Sequence, residues 1–316
     1  MKIFSLISDN LAPLTLFTAI AAYFFPGGFL IFEHVFLWLF AATMFSLGIV
    51  LNPQELQQVR QQSKQIGLGL LTQFSVMPLL GSIAALVVVS SGLPNEIALG
   101  LIIVACAPGA MASNVIVYLA GGALAYSIAL TTISTLLSPI LTPTLVEWIG
   151  GALLPIPFWP MMKTILQIVV FPILLGMLVK RYLGQKAYIM NDIAPAIAVL
   201  SIVIICSYAV AANQERIADV GLKLFLIVVI VNLMGYLAGW HLARLYGFEK
   251  KLQIALSIEI GMQNAGLGVA LALKHFPPET ALPGALFAFW CVLTAAGMTG
   301  YLKRTAMRET GITGNP

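Results

Sequence analysis

Long apolar runs, separated by proline, glycine and charged residues, extend along nearly the whole chain. Run after run reaches the roughly 20 apolar residues that a helix needs to cross a bilayer. The pattern predicts ten membrane spans, which we place near residues 11–25, 35–51, 66–90, 96–120, 123–149, 157–181, 193–212, 220–246, 252–275 and 281–302. The longest polar connection, residues 52–65, leaves no room for a soluble domain. We therefore predict an all-α polytopic membrane protein that forms a single transmembrane unit over residues 1–316.

The overall composition supports a membrane protein. The 316 residues are 60% hydrophobic and only 9% charged, and the mean hydropathy of +0.98 excludes a soluble protein. The three cysteines, Cys106, Cys206 and Cys291, lie in apolar segments without metal-ligand spacing, so we interpret them as buried free thiols. Lys2 is not followed by an apolar core with a small-residue cleavage site, so we expect the first apolar segment to be retained.

The distribution of lysine and arginine predicts the orientation. With a cytoplasmic N-terminus, twelve of these side chains fall on the cytoplasmic side: Lys2, Arg60, Lys64, Lys180, Arg181, Lys186, Arg244, Lys250, Lys251, Lys303, Arg304 and Arg308. Four fall on the other side: Lys163, Arg216, Lys223 and Lys274. This asymmetry obeys the positive-inside rule, whereas a count of nine or eleven spans would mix the charges of the two sides. We expect ten spans in the plasma (inner) membrane, with both termini in the cytoplasm.

Ten spans divide into two sets of five. Because five is odd, the second set would run inverted relative to the first, and the fourth and ninth spans would correspond. Both are interrupted, the fourth around Pro108-Gly109 and the ninth around residues 259–266. Alone, Pro108-Gly109 would indicate an ordinary kink. Two breaks in register, each beside an asparagine, instead favour a transporter binding site near the bilayer midplane.

A carboxylate marks the ninth-span break. Glu259 lies in an apolar run from Leu252 to Leu273, where an ionised side chain costs about 2.5–3.5 kcal/mol on insertion scales, and such residues are usually functional. Few other polar side chains lie at membrane depth: Gln73, Ser113, Asn114, Ser127, Thr131, Thr132, Ser134, Thr135, Ser138, Thr142, Asn232, Gln263 and Asn264. Ser127 and Thr131 are four residues apart, so their hydroxyls share one helix face.

Carboxylate, hydroxyl, amide and freed carbonyl oxygens together form a hard ligand set that suits Na⁺ better than a soft metal. The histidines all lie at predicted span ends: His34, His241 and His275. Hydrogen bonds between helices are the alternative role for Gln73, Asn114 and Asn232, and for Asn232 we prefer it. That role does not suit Glu259, because a carboxylate in lipid protonates or needs a cation. We favour a bound cation, and a protonated Glu259 that carries protons is the alternative.

Other functional classes lack support in the sequence. No Gly-x-Ser-x-Gly, His-Glu-x-x-His or Asp-Asp pair lies at membrane depth, so we do not expect an enzyme. A channel would need a polar stripe through several helices, whereas the polar groups here cluster at one depth, as in a carrier with an occluded site. The expected partners are the lipid bilayer and a small-molecule substrate, with no nucleic acid and no protein partner.

At these same residues the chain resembles the bile acid:sodium symporter family, over essentially its whole length. The motifs that carry the resemblance are Gln73-Phe-Ser-Val-Met-Pro78, Pro108-Gly-Ala-Met-Ala-Ser-Asn-Val115, Ser134-Thr-Leu-Leu-Ser-Pro139, Glu259-Ile-Gly-Met-Gln-Asn264 and Pro283-Gly-Ala-Leu-Phe287. The resemblance implies ten transmembrane helices in two inverted five-helix repeats, with broken, crossing helices 4 and 9. It also implies a panel domain of about residues 11–51 and 157–212 and a core domain of about residues 66–149 and 220–302.

The resemblance further implies two sodium sites that share one carboxylate. The first would use Ser113, Asn114, Ser127, Thr131 and Glu259. The second would use Gln73, Glu259, Gln263 and the backbone carbonyls of Ile260 and Met262. An organic anion would bind between core and panel against the crossing, where half-helix N-termini favour negative charge. The substrate residues would be Asn264, Ala112, Met111 and Asn114.

Two departures from the family's pattern affect the expected substrate. Gly109-Ala110-Met111 stands where many relatives have Gly-Gly-Thr, and Trp290-Cys291-Val292 stands where Trp-His-Asn is common. These changes predict a more apolar substrate pocket with intact sodium ligands. Cargoes in the family include bile acids, steroid sulfates, pyruvate, pantoate and other small organic anions. The expected anion is bile-acid-like or a small carboxylate such as a keto or hydroxy acid, and we favour the small carboxylate. The sequence thus predicts sodium-coupled symport of an organic anion by alternating access. The alternative is proton-coupled or sodium-independent anion transport with Glu259 as the proton site.

Overall fold

The fold is helical throughout the residues that our computed structural model describes, which are 11–51, 62–184, 190–291 and 293–294. The α-helices are α1 (Leu11–Phe24), α2 (Gly27–Leu30), α3 (Phe36–Val50), α4 (Ser63–Ser90), α5 (Asn95–Ala105), α6 (Ala112–Leu119), α7 (Leu124–Gly150), α8 (Phe158–Ile165), α9 (Phe171–Leu183), α10 (Met190–Ala211), α11 (Gln214–Leu245), α12 (Lys250–Gly261), α13 (Ala265–His275) and α14 (282–291). A π-helical turn joins α8 to α9, and 3₁₀ turns follow α2 and precede α14. Residues 1–10, the position of both termini and Val292 lie outside the described residues, and retention of the first apolar segment stays a prediction.

Helical backbone covers each of the ten predicted apolar segments, as far as the description extends. Among the described helices, α4, α7, the continuous α8–α9 helix and residues 221–245 of α11 are long and apolar enough to cross a membrane. A fifth crossing is possible if residues 16–24 and 27–34, which meet at a 109° bend, act as one span. The other segments are shorter or broken, so the ten-span inverted repeat stays a prediction.

The helices pack in two groups. In the first group, α3 packs against α9 and α10, and α10 also packs against α1. In the second group, α4 packs against α5, α7 and α11, while α11 packs against α12. The contact between α11 and α12 is close, since a Cβ added at Gly239 would lie 2.9 Å from the carbonyl oxygen of Leu256. The second group includes the first halves of both broken segments, α5 and α12, whereas α13 packs against α5 of the second group and α10 and α3 of the first.

The breaks in the fourth and ninth segments pair with each other through their backbones, and we call this contact the crossing. The amide of Ala110 donates to the carbonyl of Met262, and the amide of Asn264 donates to the carbonyl of Pro108, both at 2.8 Å. Gly109 and Gln263 thereby form an isolated antiparallel bridge. Backbone groups freed by a break are tolerated at membrane depth only where protein or a cavity satisfies them. Each break here provides hydrogen-bond partners for freed backbone groups of the other, which allows both to be buried.

Candidate functional site

Glu259 lies in the last turn of α12, beside the crossing, and is only 1% exposed. Its Oε1 accepts hydrogen bonds from the hydroxyls of Ser113 and Ser127. Its Oε2 accepts a hydrogen bond from Thr131 Oγ1 at 2.6 Å. Helix α6 contributes the first hydroxyl and α7 the other two, one helical turn apart, so three helices converge on the carboxylate. All three hydroxyl residues are fully buried.

Gly109 allows the first break to approach this carboxylate. A Cβ built on Gly109 would lie 2.8 Å from Glu259 Oε2, which is closer than real side chains approach. Gly109 does not have a positive φ, so its lack of a side chain matters here for space and not for backbone freedom. The sequence marked Gly109 only as part of a break, and no local pattern indicates that it faces a residue 150 positions away.

The oxygen atoms around Glu259 outnumber the protons available to join them. Ser127 Oγ also contacts Asn114 Oδ1 at 2.7 Å, and Ser113 Oγ contacts the carbonyl oxygen of Ala110 at 2.6 Å. Each hydroxyl carries one proton, so the two serines face four acceptor contacts with two protons. An excess of acceptor oxygens in a buried site suits a hard cation, which prefers oxygen ligands. In the described part of the chain, the one ion pair joins Arg216 to Glu279, and Glu259 has no cationic side chain as its partner.

Two glutamines form a second polar group at the crossing. Gln73 Nε2 donates to the carbonyl of Ala107 at 3.0 Å and to Gln263 Oε1 at 2.8 Å. Gln263 Nε2 donates to the carbonyl of Ile260 at 2.9 Å. Both glutamines are almost fully buried. The structure therefore brings Gln73, Gln263 and the backbone of the second break together in one hydrogen-bonded chain, whereas the hydrogen bonds of Glu259 go to α6 and α7.

The residues predicted to contact substrate flank the two breaks, and they are less buried than the hydroxyl residues around Glu259. Met111 and Asn114 are half-buried, Ala112 is exposed, and Asn264 is 8% exposed. Asn264 also caps α13, since its Oδ1 accepts a hydrogen bond from the amide of Leu267 at 3.1 Å. The cap occupies the carbonyl oxygen of the Asn264 side chain and leaves its NH₂ group for another partner.

Several polar side chains of α7 satisfy backbone groups instead of joining Glu259. Ser134 and Ser138 donate to carbonyls one turn earlier in α7. Thr142 donates to the carbonyl of Cys106 at the first break, at 2.8 Å. From the residue types alone, these hydroxyls cannot be told apart from those of Ser127 and Thr131, because α7 carries hydroxyls on several faces.

The sequence did not indicate which groups Asn232 contacts. Its Nδ2 donates to the carbonyl of Gly261, at the end of α12, at 2.7 Å. Its Oδ1 accepts a hydrogen bond from Trp290 Nε1 at 3.0 Å. These hydrogen bonds join helices, as we preferred, but the bonded carbonyl belongs to the second break itself. An asparagine at mid-span was the only available signal, and it does not reveal which carbonyl it contacts.

Comparison with known proteins identifies the family of this chain. A model of the sodium bile acid symporter family matches residues 37–223. YocS of Bacillus subtilis (strain 168), named as an uncharacterized sodium-dependent transporter, is 35% identical over 291 residues, which are 92% of this chain and 90% of that protein. A probable chloroplastic sodium/metabolite cotransporter, BASS1, of Oryza sativa subsp. japonica is 36% identical over 245 residues, or 77% of this chain and 60% of that protein. The corresponding BASS1 of Arabidopsis thaliana is 32% identical over 268 residues, or 84% of this chain and 66% of that protein.

These relatives are named as sodium-dependent transporters and cotransporters, which confirms the prediction that the chain is not an enzyme. The family and the apolar helices also identify an integral membrane protein. The family model covers more than half of the chain, and the similarity to YocS covers nearly all of it. The chain therefore belongs to the sodium bile acid symporter family.

Proposed function

We propose that this protein is a secondary-active symporter that couples Na⁺ to the transport of an organic anion. The observation that carries the proposal is the environment of Glu259, a buried carboxylate that receives hydrogen bonds only from hydroxyls. A charged carboxylate at membrane depth needs a cation or must take up a proton. The two serines have two protons for four acceptor contacts. This surplus of acceptor oxygens favours the cation, because a hard cation can bind several oxygens at once.

Two Na⁺ ions bind in this proposal, with Glu259 shared between them. The first ion binds to oxygens of Ser113, Asn114, Ser127, Thr131 and Glu259. The second binds to Gln73, Gln263, Glu259 and the carbonyls of Ile260 and Met262. Each of these two carbonyls accepts one hydrogen bond, from Gln263 Nε2 and from the amide of Ala110 respectively. A carbonyl oxygen has two lone pairs, so both retain one for an ion.

The substrate in this proposal is a small carboxylate such as a keto or hydroxy acid. It binds beside Asn264, Asn114, Met111 and Ala112, which flank the two breaks. The N-termini of the half-helices α6 and α13 lie next to these residues, and helix N-termini favour anions. Sodium ions bound nearby offset the charge of the anion, which is the physical basis of coupling. The apolar Met111 and the buried Cys291 favour a cargo with few polar groups besides its carboxylate.

Transport proceeds by movement of a core domain against a panel domain in ten spans arranged as two inverted repeats, with both termini in the cytoplasm and the protein in the plasma membrane. The panel comprises about residues 11–51 and 157–212, and the core about residues 66–149 and 220–302. Support comes from the packing of α3 against α9 and α10 and of α10 against α1, which joins the panel segments to one another. A hydrogen bond of 2.9 Å between Thr164 of α8 and His275 of α13 connects the two groups at one end.

The proposal is tested with purified protein and with proteoliposomes. Candidate anions are screened by thermal shift in Na⁺ and in K⁺, since a ligand stabilises the folded state according to its concentration relative to its Kd. We expect anion binding and uptake in Na⁺ only. Equal binding and uptake in both ions would refute sodium coupling.

Substitution of the proposed ligands sharpens this test. Glu259→Gln and Gln73→Ala should each abolish the Na⁺ dependence, because each removes an oxygen ligand or the group that orients one. The folded fraction, measured by size-exclusion chromatography, should be unchanged. Retained Na⁺ dependence in Glu259→Gln would contradict the shared site. Uptake driven by a pH gradient alone, and lost in Glu259→Gln, would support a proton carrier instead.

A further inference from the structure

Each break is held by an amide side chain from the neighbouring long helix. Gln73 of α4 donates to the carbonyl of Ala107 in the first break, and Asn232 of α11 donates to the carbonyl of Gly261 in the second. In the proposed inverted repeats, the third and eighth spans correspond, so α4 and α11 occupy equivalent positions. Gln73 belongs to a proposed sodium site, whereas Asn232 lies in neither ligand set. Its equivalent contact indicates a role at the second break.

The orientation of the Asn232 amide is determined by its second partner. Trp290 Nε1 lies 3.0 Å from Asn232 Oδ1, and an indole nitrogen can only donate. The side-chain oxygen must therefore face Trp290, and the NH₂ group must face Gly261. Asn232 is fully buried, and a buried amide without partners is costly. Trp290 thus makes Asn232 a donor to the break in one defined orientation.

The carbonyl of Gly261, which accepts the hydrogen bond from Asn232, lies in the chain between the carbonyls of Ile260 and Met262 that are proposed to bind sodium. The carbonyl of Ile260 accepts from Gln263, and the carbonyl of Met262 accepts from Ala110. The carbonyl of Gly261 instead faces α11. The backbone of α11 lies against this turn, because a Cβ at Gly235 would be 3.1 Å from the Cα of Gly261 and 3.2 Å from the carbonyl oxygen of Ile260.

A peptide group is planar and rotates as a unit. Holding the carbonyl of Gly261 toward α11 therefore fixes the rotation of the peptide that joins Gly261 to Met262. That rotation determines the direction in which the chain leaves α12, and with it where the next carbonyl, that of Met262, points. The amide end of this peptide donates to the carbonyl of Ile258 at 2.9 Å, in the last turn of α12. Without the hydrogen bond from Asn232, that contact alone holds the peptide, and glycine at position 261 offers little resistance to rotation.

We propose that Asn232, oriented by Trp290, is a positioning residue for the second sodium site. It holds the turn at Gly261 so that the carbonyl of Ile260 faces Gln263 and the carbonyl of Met262 faces Ala110. The inference rests on the proposed function, since it assumes that Na⁺ binds at these carbonyls. It assigns to Asn232 an effect on ion affinity that a hydrogen bond between helices would not have by itself.

The test compares the apparent Na⁺ affinity of three full-length variants with that of the wild-type protein, all in detergent. Na⁺ replaces K⁺ stepwise at constant ionic strength, and the rise of Tm gives the apparent Kd. Asn232→Leu removes the hydrogen bond to the carbonyl of Gly261 and should raise this Kd about tenfold, or about 1.4 kcal/mol. Trp290→Phe keeps Asn232 but removes the indole that orients its side-chain amide. It should raise the Kd by a smaller factor of about three, within the range expected for one neutral hydrogen bond.

Thr142→Val is the matched control. It removes a buried hydrogen bond to Cys106 at the first break, a carbonyl outside both proposed ligand sets. It should lower Tm equally in Na⁺ and K⁺ and leave the apparent Kd unchanged. A merely structural role for Asn232 predicts this same pattern for Asn232→Leu, and that result would overturn the proposal. If Asn232→Leu does not fold, an unchanged Kd in Trp290→Phe would overturn it.

Failure of the underlying function gives a different result. If the wild-type protein shows no stabilisation by Na⁺ relative to K⁺, the sodium sites are absent and both proposals are wrong. If the wild-type protein responds to Na⁺ and the Asn232 and Trp290 variants respond at the same concentrations, sodium coupling stands and the positioning role alone is refuted.

Discussion

Replacing Gly109 by alanine tests the geometry around Glu259 with a single methyl group. The added Cβ would lie 2.8 Å from Glu259 Oε2, well inside the 3.5–4.0 Å at which non-bonded atoms attract most. The backbone at Gly109 does not have a positive φ, so alanine causes no backbone strain there. The carboxylate must move, although hydroxyls of α6 and α7 hold it on both oxygens.

The size of the effect follows from the hydrogen bond that must give way first. Thr131 donates to the oxygen nearest the added methyl group, at 2.6 Å. A hydrogen bond to a charged group contributes about 1.5–3 kcal/mol. If movement of Oε2 disrupts this contact and the matching ion contact, the affinity for Na⁺ should fall roughly ten- to hundredfold, since about 1.4 kcal/mol corresponds to a factor of ten.

The assay is the Na⁺ titration of Tm, combined with Na⁺-driven uptake by proteoliposomes. Gly67→Ala is a matched control, because Gly67 lies in α4 with no atom within 4 Å of an added Cβ. It should leave the Na⁺ affinity unchanged and raise stability slightly, since alanine is favoured over glycine in helices by about 1 kcal/mol. Wild-type Na⁺ affinity in a folded Gly109→Ala variant would show that the site is not formed around Glu259 as described.

Two further predictions concern the substrate residue Asn264 and the contact between the two helix groups. Asn264→Asp keeps an oxygen that can cap α13 but replaces the side-chain NH₂ group with negative charge, so Tm in Na⁺ should change little while the thermal shift by organic anions is lost. Asn264→Ala serves as a comparison and should also lower Tm, because it removes the cap of α13. A full anion response in Asn264→Asp would exclude this residue from the substrate site. Thr164→Val removes the hydrogen bond to His275, worth about 0.5–1.5 kcal/mol, and should increase hydrogen–deuterium exchange of residues 157–165 and 270–276 by about two- to tenfold. Unchanged exchange there would show that this contact does not hold the two groups together.

Much of the fold could be predicted from local sequence. The apolar segments and the residues that separate them led to helices near the observed ends, such as α4 at residues 63–90 against a predicted span at 66–90. Both interruptions were also predictable, because proline removes a backbone donor and glycine weakens a helix. The π-helical turn before α9 and the 109° bend after α1 were not predicted, since neither has a distinctive local pattern.

The site was only partly predictable. Glu259 was identified because a carboxylate in an apolar run is costly wherever the run folds, and this cost depends on the segment alone. The identity of its neighbours depends on contacts across 128 to 146 positions of the chain. The resemblance to a family supplied Ser127 and Thr131 as ligands, whereas the residue types alone gave no reason to prefer them to Ser134 or Thr142.

The sequence by itself determined that this chain is a helical membrane protein with two broken segments and one buried carboxylate, because hydropathy, chain length and the cost of a charge are properties of single segments. Tertiary structure decided which groups meet at the crossing. The pairing of Ala110 with Met262, the space at Gly109 and the contact of Asn232 with Gly261 all depend on how helices distant in the chain pack. Such packing is set by the shapes of many side chains together, and no local pattern carries it.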